Sequence, residues 1–108
     1  MDGELIRYLS PLTVKRIVSK LPISQLINNF QNKYIYIKLE LGVGAEKPLK
    51  RFKKGDIAFS PISNSICIFI EDYDHNQQFS HIGQVKDENF HQLLKTKPGD
   101  VLTIKKGN

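Results

Sequence analysis

The sequence predicts a mainly β domain, built as a closed or nearly closed barrel with two short α-helices capping its ends. First, residues 33–41 alternate apolar and polar side chains, which is the period of a strand with one dry face. Second, glycine and proline turns divide most of the remaining chain into short apolar runs. Third, 108 residues leave room for one hydrophobic core, so residues 1–108 are predicted to form a single domain. A β-sandwich is the alternative architecture.

The N-terminal segment is predicted to contain a strand, over residues 4–9, followed by a helix. Ser10 and Pro11 favour a helix start, because serine caps helix N-termini and proline suits the first turn. Pro22 then ends the helix. Residues 23–30 repeat the apolar spacing of a helix and predict a further helical turn. The apolar stripe of the first helix consists of Val14, Ile17, Val18 and Leu21.

The middle of the chain is predicted to supply the central strands. The strand at residues 33–41 is followed by a basic connection at residues 47–54 and by a strand at residues 56–59. Residues 66–70 are apolar on both faces, which is typical of a strand in the middle of a sheet. The side chains predicted to face the shared interior are Ile35, Ile37, Leu39, Ile57, Ile66 and Ile68.

The C-terminal part is predicted to contain a polar loop at residues 71–78 and a short, glycine-bearing strand at residues 80–85. Asp87 is placed to cap a second helix, and residues 101–104 form the last strand.

The sequence Lys-x-Gly-Asp occurs twice, at residues 53–56 and 97–100, each time directly before a strand. Because glycine supplies the backbone conformation that tight turns need, both copies are predicted to be strand-launching turns and not an internal repeat.

Composition limits the environment and the partners. Sixteen Lys and Arg against eleven Asp and Glu give a net charge of +5, which favours anionic partners without requiring one. The single cysteine excludes an internal disulfide, so a reducing, cytoplasmic location is expected. We find no secretory signal and no long apolar run, so no membrane association is expected.

The order of these segments resembles the cyclophilin-like superfamily. The resemblance is carried by residues 55–61, 65–69 and 81–85, followed by a helix and a closing strand. The helix ending near Pro22, with residues 32–37, is similar to a family of small uncharacterised prokaryotic cyclophilin-like proteins. This likeness extends over residues 5–106.

The sequence also departs from that family. Residues 59–62 and 71–73 replace the family's usual turn and its glycine-containing loop, so a ligand bound there by relatives does not carry over directly. The N-terminus is shorter than in such relatives. A missing strand would leave an open barrel edge, which favours a homodimer.

The resemblance raises the question of peptidyl-prolyl cis-trans isomerase activity. Cyclophilins carry an arginine after a Phe-His pair, and no Phe-His-Arg occurs here. The corresponding strand offers only Lys38, a flexible point donor that replaces a planar guanidinium poorly. No catalytic residue is therefore assigned, the chain is interpreted as a non-enzyme, and isomerase activity is kept as an alternative.

The favoured function is a non-catalytic binding or interaction domain for a peptide or a small molecule. By resemblance, Phe69 lies where cyclophilins line their proline pocket. The alternative is that Phe69 and Phe79 only pack beneath the loops, with Cys67 as a small buried hydrophobic residue. The candidate groove residues are Tyr36, Lys38, Ser60, Pro61, Cys67, Phe69 and Phe79.

A second alternative is a weak nucleic-acid-binding module. The basic run could contact phosphates while an aromatic ring stacks on a base, although a solvated loop explains the same residues. The candidates are Lys47, Lys50, Arg51, Phe52, Lys53 and Lys54.

No metal or cofactor is predicted. Asp72, Asp74 and His75 form a short acidic loop with one imidazole, but they lack the ligand spacing of a structural site. The sequence contains no glycine-rich phosphate loop and no nucleophile elbow.

Overall fold

The computed structural model describes residues 3–6 and 9–105, apart from the side chain of His75, so part of the predicted first strand lies outside the described residues. Its helices are α1 (Pro11–Ser19) and α2 (Phe90–Leu93), the second preceded by a 3-10 turn at Asp87–Asn89. Its strands are β1 (Gly3–Leu5), β2 (Ile23–Leu26), β3 (Asn28–Phe30), β4 (Tyr34–Lys38), β5 (Leu49–Phe52), β6 (Asp56–Ser60), β7 (Ser65–Phe69), β8 (Tyr73–Val85) and β9 (Val101–Ile104).

The main sheet is antiparallel and runs in the order β1-β8-β6-β7-β4-β3, with β5 paired to β8 outside this path. Strands β2 and β9 form a separate antiparallel ribbon. The sheet curves into a half-barrel that is not fully closed, which confirms the mainly β, barrel-like prediction. Dimerisation through the open edge stays a prediction. No helix in the described part of the chain is long and apolar enough to cross a membrane.

The hydrophobic core lies on the inner face of the half-barrel. Ile35 and Ile37 of β4 face Ile66 and Ile68 of β7 across the ladder, and all four are buried. Helix α1 covers this face with its apolar stripe, as the helical spacing predicts. The prediction of a shared dry interior is therefore confirmed.

Helix α1 begins at Pro11 as predicted, but its N-terminus is not capped by Ser10. The Ser10 hydroxyl donates to the His81 carbonyl oxygen at 2.7 Å. The Glu46 carboxylate instead accepts the Thr13 amide at 2.5 Å, the Thr13 hydroxyl at 2.7 Å and the Leu12 amide at 3.1 Å. Burial opposes ionisation of Glu46, but these hydrogen bonds outweigh it and lower its pKa. A carboxylate brought from a distant loop thus satisfies the orphan amides and the helix dipole.

Two predicted elements are wrong, and non-local strand pairing explains both. Residues 23–30 form β2 and β3 instead of a helical turn, because β9 and β4 supply their partners. Residues 73–78 lie in β8 instead of a polar loop, because β5 pairs with Tyr73 and Asp74 and, beyond an irregularity in the register, with Phe79. Asp87 begins the 3-10 turn and makes no side-chain cap. The predicted basic connection also contains β5.

Both Lys-x-Gly-Asp sequences form the predicted turn, with the same geometry. Gly55 has φ +90° and Gly99 has φ +95°, a region that favours glycine. In each turn the aspartate accepts the amide of the lysine three residues earlier at 2.9 Å. The first turn places Asp56 at the start of β6, beside the site described next.

Candidate functional site

The outer face of the main sheet carries a second apolar cluster, separate from the inner core. Side chains alternate along β7, so Cys67 and Phe69 point away from the face that holds Ile66 and Ile68. Strand β5 and the first half of β8 form an arm that covers this outer face. This covering explains why β7 is apolar on both faces. The buried members of the cluster are Phe52, Ala58, Cys67, Phe69 and Phe79.

Three phenylalanine rings form the closed base of this cluster. Phe52 lies parallel to Phe69, with ring centroids 4.8 Å apart and an interplanar angle of 4°. Phe79 lies 6.3 Å from Phe69 and 6.2 Å from Phe52, between ring centroids. The three rings are at most 3% exposed. We call these three residues the phenylalanine base.

Three partly exposed tyrosines lie against the phenylalanine base. The centroid of the Tyr34 ring lies 5.2 Å from that of Phe69. The ring centroids of Tyr36 and Tyr73 lie 6.0 Å and 6.2 Å from that of Tyr34. Phe30 stacks on Tyr34 from the opposite side at 4.9 Å. Burial raises the pKa of the Tyr34 phenol. We call Tyr34, Tyr36 and Tyr73 the tyrosine surface.

Lys38 continues the outer face of β4 beyond the tyrosine surface. Its ammonium donates to the Ser63 carbonyl oxygen at 2.9 Å and lies 5.7 Å from the centre of the Tyr36 ring. The hydroxyl of Ser63 in turn donates to the hydroxyl oxygen of Ser60 at 2.8 Å. A shallow depression opens beside this lysine and is lined by Gln25, Lys38, Leu39, Glu40, Ser63 and Asn64.

The structure divides the predicted groove residues into two groups. The outer apolar cluster contains four of them: Tyr36, Cys67, Phe69 and Phe79. Cys67, Phe69 and Phe79 are buried, as the alternative of packing beneath the loops predicts. Lys38, Ser60 and Pro61 lie towards the end of the same face, where Lys38 and Ser60 are both strand partners of Ser65. Ser60 is buried and Pro61 is half-buried. The candidates with accessible surface are Tyr36, Lys38 and Pro61. A ligand role for any of them stays a prediction.

Sequence reasoning missed Tyr73 as a site residue. The prediction of a polar loop at residues 71–78 hid it, although Tyr73, Phe79 and His81 stand at positions that share one face of a continuous strand. The two-residue spacing of these aromatic side chains was the signal in the sequence that indicates a strand here.

Cys67 has the environment of a structural thiol. It is 1% exposed, and burial raises its pKa, which keeps the sulfur protonated and poorly nucleophilic. Its Sγ lies 3.9 Å from the Ser65 carbonyl oxygen, a weak donor contact.

Comparison with known proteins places the chain in a family. Residues 10–105 match the model of the Cyclophilin-like family, which is most of the chain. The chain belongs to the cyclophilin-like family. The fold of this cyclophilin-like chain is similar to the solution structure of a hypothetical protein from Archaeoglobus fulgidus, with a TM-score of 0.74 and 20% sequence identity. The match covers 97% of this chain and 85% of that protein. A search of curated protein sequences found no match.

The basic residues of this cyclophilin-like chain lie along and around β5. Their side chains are exposed, whereas the Phe52 ring is stacked on Phe69 and is 1% exposed. Nucleic-acid binding by these residues stays a prediction. The nearby acidic residues have partners: Asp74 pairs with Arg51 at 3.0 Å, and Asp72 accepts the Lys54 amide at 2.9 Å.

Among the described side chains, no group of three His, Cys, Asp or Glu residues is arranged to hold a metal ion.

Asp56 and His81 form a half-buried ion pair beside the phenylalanine base. His81 Nε2 lies 2.9 Å from the Gly83 carbonyl oxygen and 3.5 Å from Asp56 Oδ1, and since both are acceptors this nitrogen carries a proton. The hydrogen bond with Asp56 raises the pKa of His81, against the effect of burial. Burial alone would raise the pKa of Asp56, but hydrogen bonds from His81 and the Lys53 amide lower it.

The ion pair predicts a pH-dependent stability. The raised pKa of His81 gives a contribution that is complete below the ordinary histidine pKa, about 6.5, and is lost as the pH rises through the folded value. The contribution of Asp56 is present above the ordinary aspartate pKa, about 3.9, and is lost as the pH falls through its lowered folded value. We expect His81→Gln to reduce the free energy of unfolding by about 1 kcal/mol near pH 5.5, and by less above pH 8.

Urea unfolding at a series of pH values measures this difference. His91→Gln is the matched control, because His91 is exposed on α2, and it should change the free energy by less than about 0.5 kcal/mol. An equal loss for His81→Gln at every pH would contradict the role of the ion pair.

Proposed function

We propose that this cyclophilin-like chain is a non-catalytic binding domain that takes up a short, proline-containing peptide segment on the tyrosine surface. The observation that carries the proposal is the layering of the outer face. Tyr34, Tyr36 and Tyr73 are partly exposed, and they rest on a phenylalanine base that is closed to solvent.

This layering supports binding because it reduces the entropy lost on association. Tyrosine rings offer a large apolar area and a polar hydroxyl with few rotatable bonds. Tyr34 is held between Phe30 and Phe69, so its orientation is set before a ligand arrives. Proline and aromatic side chains have flat apolar faces that suit such a surface.

Lys38 supports a binding role more than a catalytic one. Isomerisation needs a donor aimed at the prolyl nitrogen, where it weakens the amide resonance behind the rotation barrier. The Lys38 ammonium is exposed and already donates to the Ser63 carbonyl oxygen. It can add a hydrogen bond to a peptide carbonyl beside the Tyr36 ring, but its flexible stem does not hold a donor in one position.

The proposal includes a reducing, cytoplasmic location. The only cysteine is a buried thiol, which needs no oxidising compartment to serve its packing role.

An NMR titration with the peptide Ala-Ala-Pro-Phe tests the proposal. We expect amide shifts along β4 and at Tyr73 in the ¹⁵N-labelled protein, and a loss of affinity of about tenfold for Tyr36→Ala, the scale of one aromatic contact. Tyr36→Phe keeps the ring and should keep most of the affinity. Leu94→Ala is the matched control, since Leu94 is exposed at the end of α2. Equal affinity for Tyr36→Ala and Leu94→Ala would contradict the proposal.

The same samples separate binding from isomerisation. Exchange spectroscopy on the proline peptide should show no acceleration of cis-trans interconversion at protein concentrations that saturate the shifts. Acceleration that is lost in Lys38→Ala would establish the isomerase alternative and overturn the non-catalytic assignment.

A further inference from the structure

Among the described residues, strand β5 has an open edge. It pairs with β8 on one side, with Leu49 opposite Phe79 and Phe52 opposite Tyr73, and no other described strand pairs with it. A strand at the edge of a sheet leaves outward-facing amides and carbonyls without a ladder partner. Such an edge can accept one further strand from another chain.

This edge is strongly basic. Residues 47–54 contain five Lys or Arg and no acidic residue. Lys50 and Arg51 lie within β5 itself, and Lys53 and Lys54 follow it directly, all with exposed side chains. The ion pair of Arg51 with Asp74 leaves their side chains 84% and 67% exposed, so an incoming carboxylate could replace Asp74 at small cost.

We propose that the open edge of β5 binds an acidic, extended peptide segment as an added strand. Main-chain hydrogen bonds to β5 hold the segment, and the surrounding cations select carboxylate side chains on it. The inference is independent of the tyrosine surface, because it uses the free side of β5 and none of the tyrosines.

The observations favour an acidic peptide over a nucleic acid. Phe52 is the aromatic residue within the basic run, and its ring is stacked on Phe69 and closed to solvent, so it gives no platform for a base. The main-chain amides and carbonyls at a strand edge can instead form hydrogen bonds with the carbonyls and amides of an extended peptide.

The test uses a ten-residue peptide of alternating Glu and Val with blocked ends, titrated into ¹⁵N-labelled protein at low ionic strength. We expect amide shifts concentrated in residues 47–54, with slower amide hydrogen exchange in β5. A second peptide with the same charges but N-methylated at every residue has no main-chain donor on either edge and cannot pair as a strand, so it should bind about tenfold more weakly. Equal binding of the two peptides would show that charge attraction alone holds the peptide, without strand pairing, and would overturn the proposal.

Charge reversal locates the site. The double variant Lys50→Glu/Arg51→Glu should weaken binding of the first peptide by about tenfold or more, whereas Lys95→Glu/Lys97→Glu, with the same change in net charge, should weaken it by less than about threefold. Both pairs are exposed, so the variants should fold. Tyr36→Ala should leave this binding unchanged, which separates the result from the proposed function. Equal losses in the two double variants, or tighter competitive binding by a ten-nucleotide oligouridine at residues 47–54, would overturn the proposal.

Discussion

Replacing Phe69 with alanine is expected to lower the free energy of unfolding by about 3–5 kcal/mol, the range for deleting a fully buried phenyl ring. Phe69 is 0% exposed and contacts both other members of the phenylalanine base. The cavity would lie beneath the arm of β5 and β8, so the surrounding rings lose their common partner. Urea unfolding followed by circular dichroism measures the loss.

Ile62→Ala is the matched control for Phe69→Ala. Ile62 is 75% exposed in the turn between β6 and β7, and its truncation should change the free energy by less than about 0.5 kcal/mol. If Phe69→Ala were as mild as the control, the ring would not be packed as the structure shows. Phe69→Leu, which keeps apolar volume, should recover part of the loss.

Replacing Gly83 with alanine is expected to displace β1 and to cost about 1–3 kcal/mol, the usual range for overpacking. A Cβ at Gly83 would lie 2.0 Å from the Glu4 carbonyl oxygen and 2.9 Å from the Glu4 carbonyl carbon. Both are main-chain atoms of β1, which pairs with β8 at Leu5 and Gly83, so no side-chain rotation relieves the clash. Faster amide hydrogen exchange at residues 3–5 should accompany the loss of stability.

Gly44 provides the control for this substitution. A Cβ there meets nothing within 4 Å, so Gly44→Ala should leave the free energy within about 0.5 kcal/mol of the parent. A Gly83→Ala protein with unchanged stability and protected β1 amides would show that the two strands are not in this register.

Local pattern predicted the elements whose signals are contained in their own residues. The alternation at residues 33–41 gave β4 and its buried face, and the doubly apolar run at residues 66–70 gave the central strand β7. The Lys-x-Gly-Asp turns followed from the backbone freedom of glycine. Each of these features depends on side-chain period or turn chemistry within a few residues.

The rest depended on partners distant in sequence. Residues 23–30 have helical spacing, yet β9 pairs with β2 from more than seventy residues away. Residues 73–78 are mostly polar, and they are extended because β5 pairs with Tyr73 and Asp74 at one end of this segment and with Phe79 just beyond the other. The arm therefore could not be predicted, and without it Phe52 is a candidate for stacking on a base and not a member of a buried cluster. The aromatic residues of the candidate site were identified by type, but their division into a buried base and an exposed surface required the tertiary structure.

Contacts between a bound peptide and the aromatic rings test the central claim most directly. In the complex with Ala-Ala-Pro-Phe, nuclear Overhauser effects should connect the proline and phenylalanine protons of the peptide to the rings of Tyr34, Tyr36 or Tyr73. The Phe52 and Phe69 rings, 4.8 Å apart, should keep their mutual effects throughout the titration. Peptide contacts to Phe69 or Phe79, together with loss of the Phe52 to Phe69 effects, would show that the arm opens to form a pocket and would contradict the account.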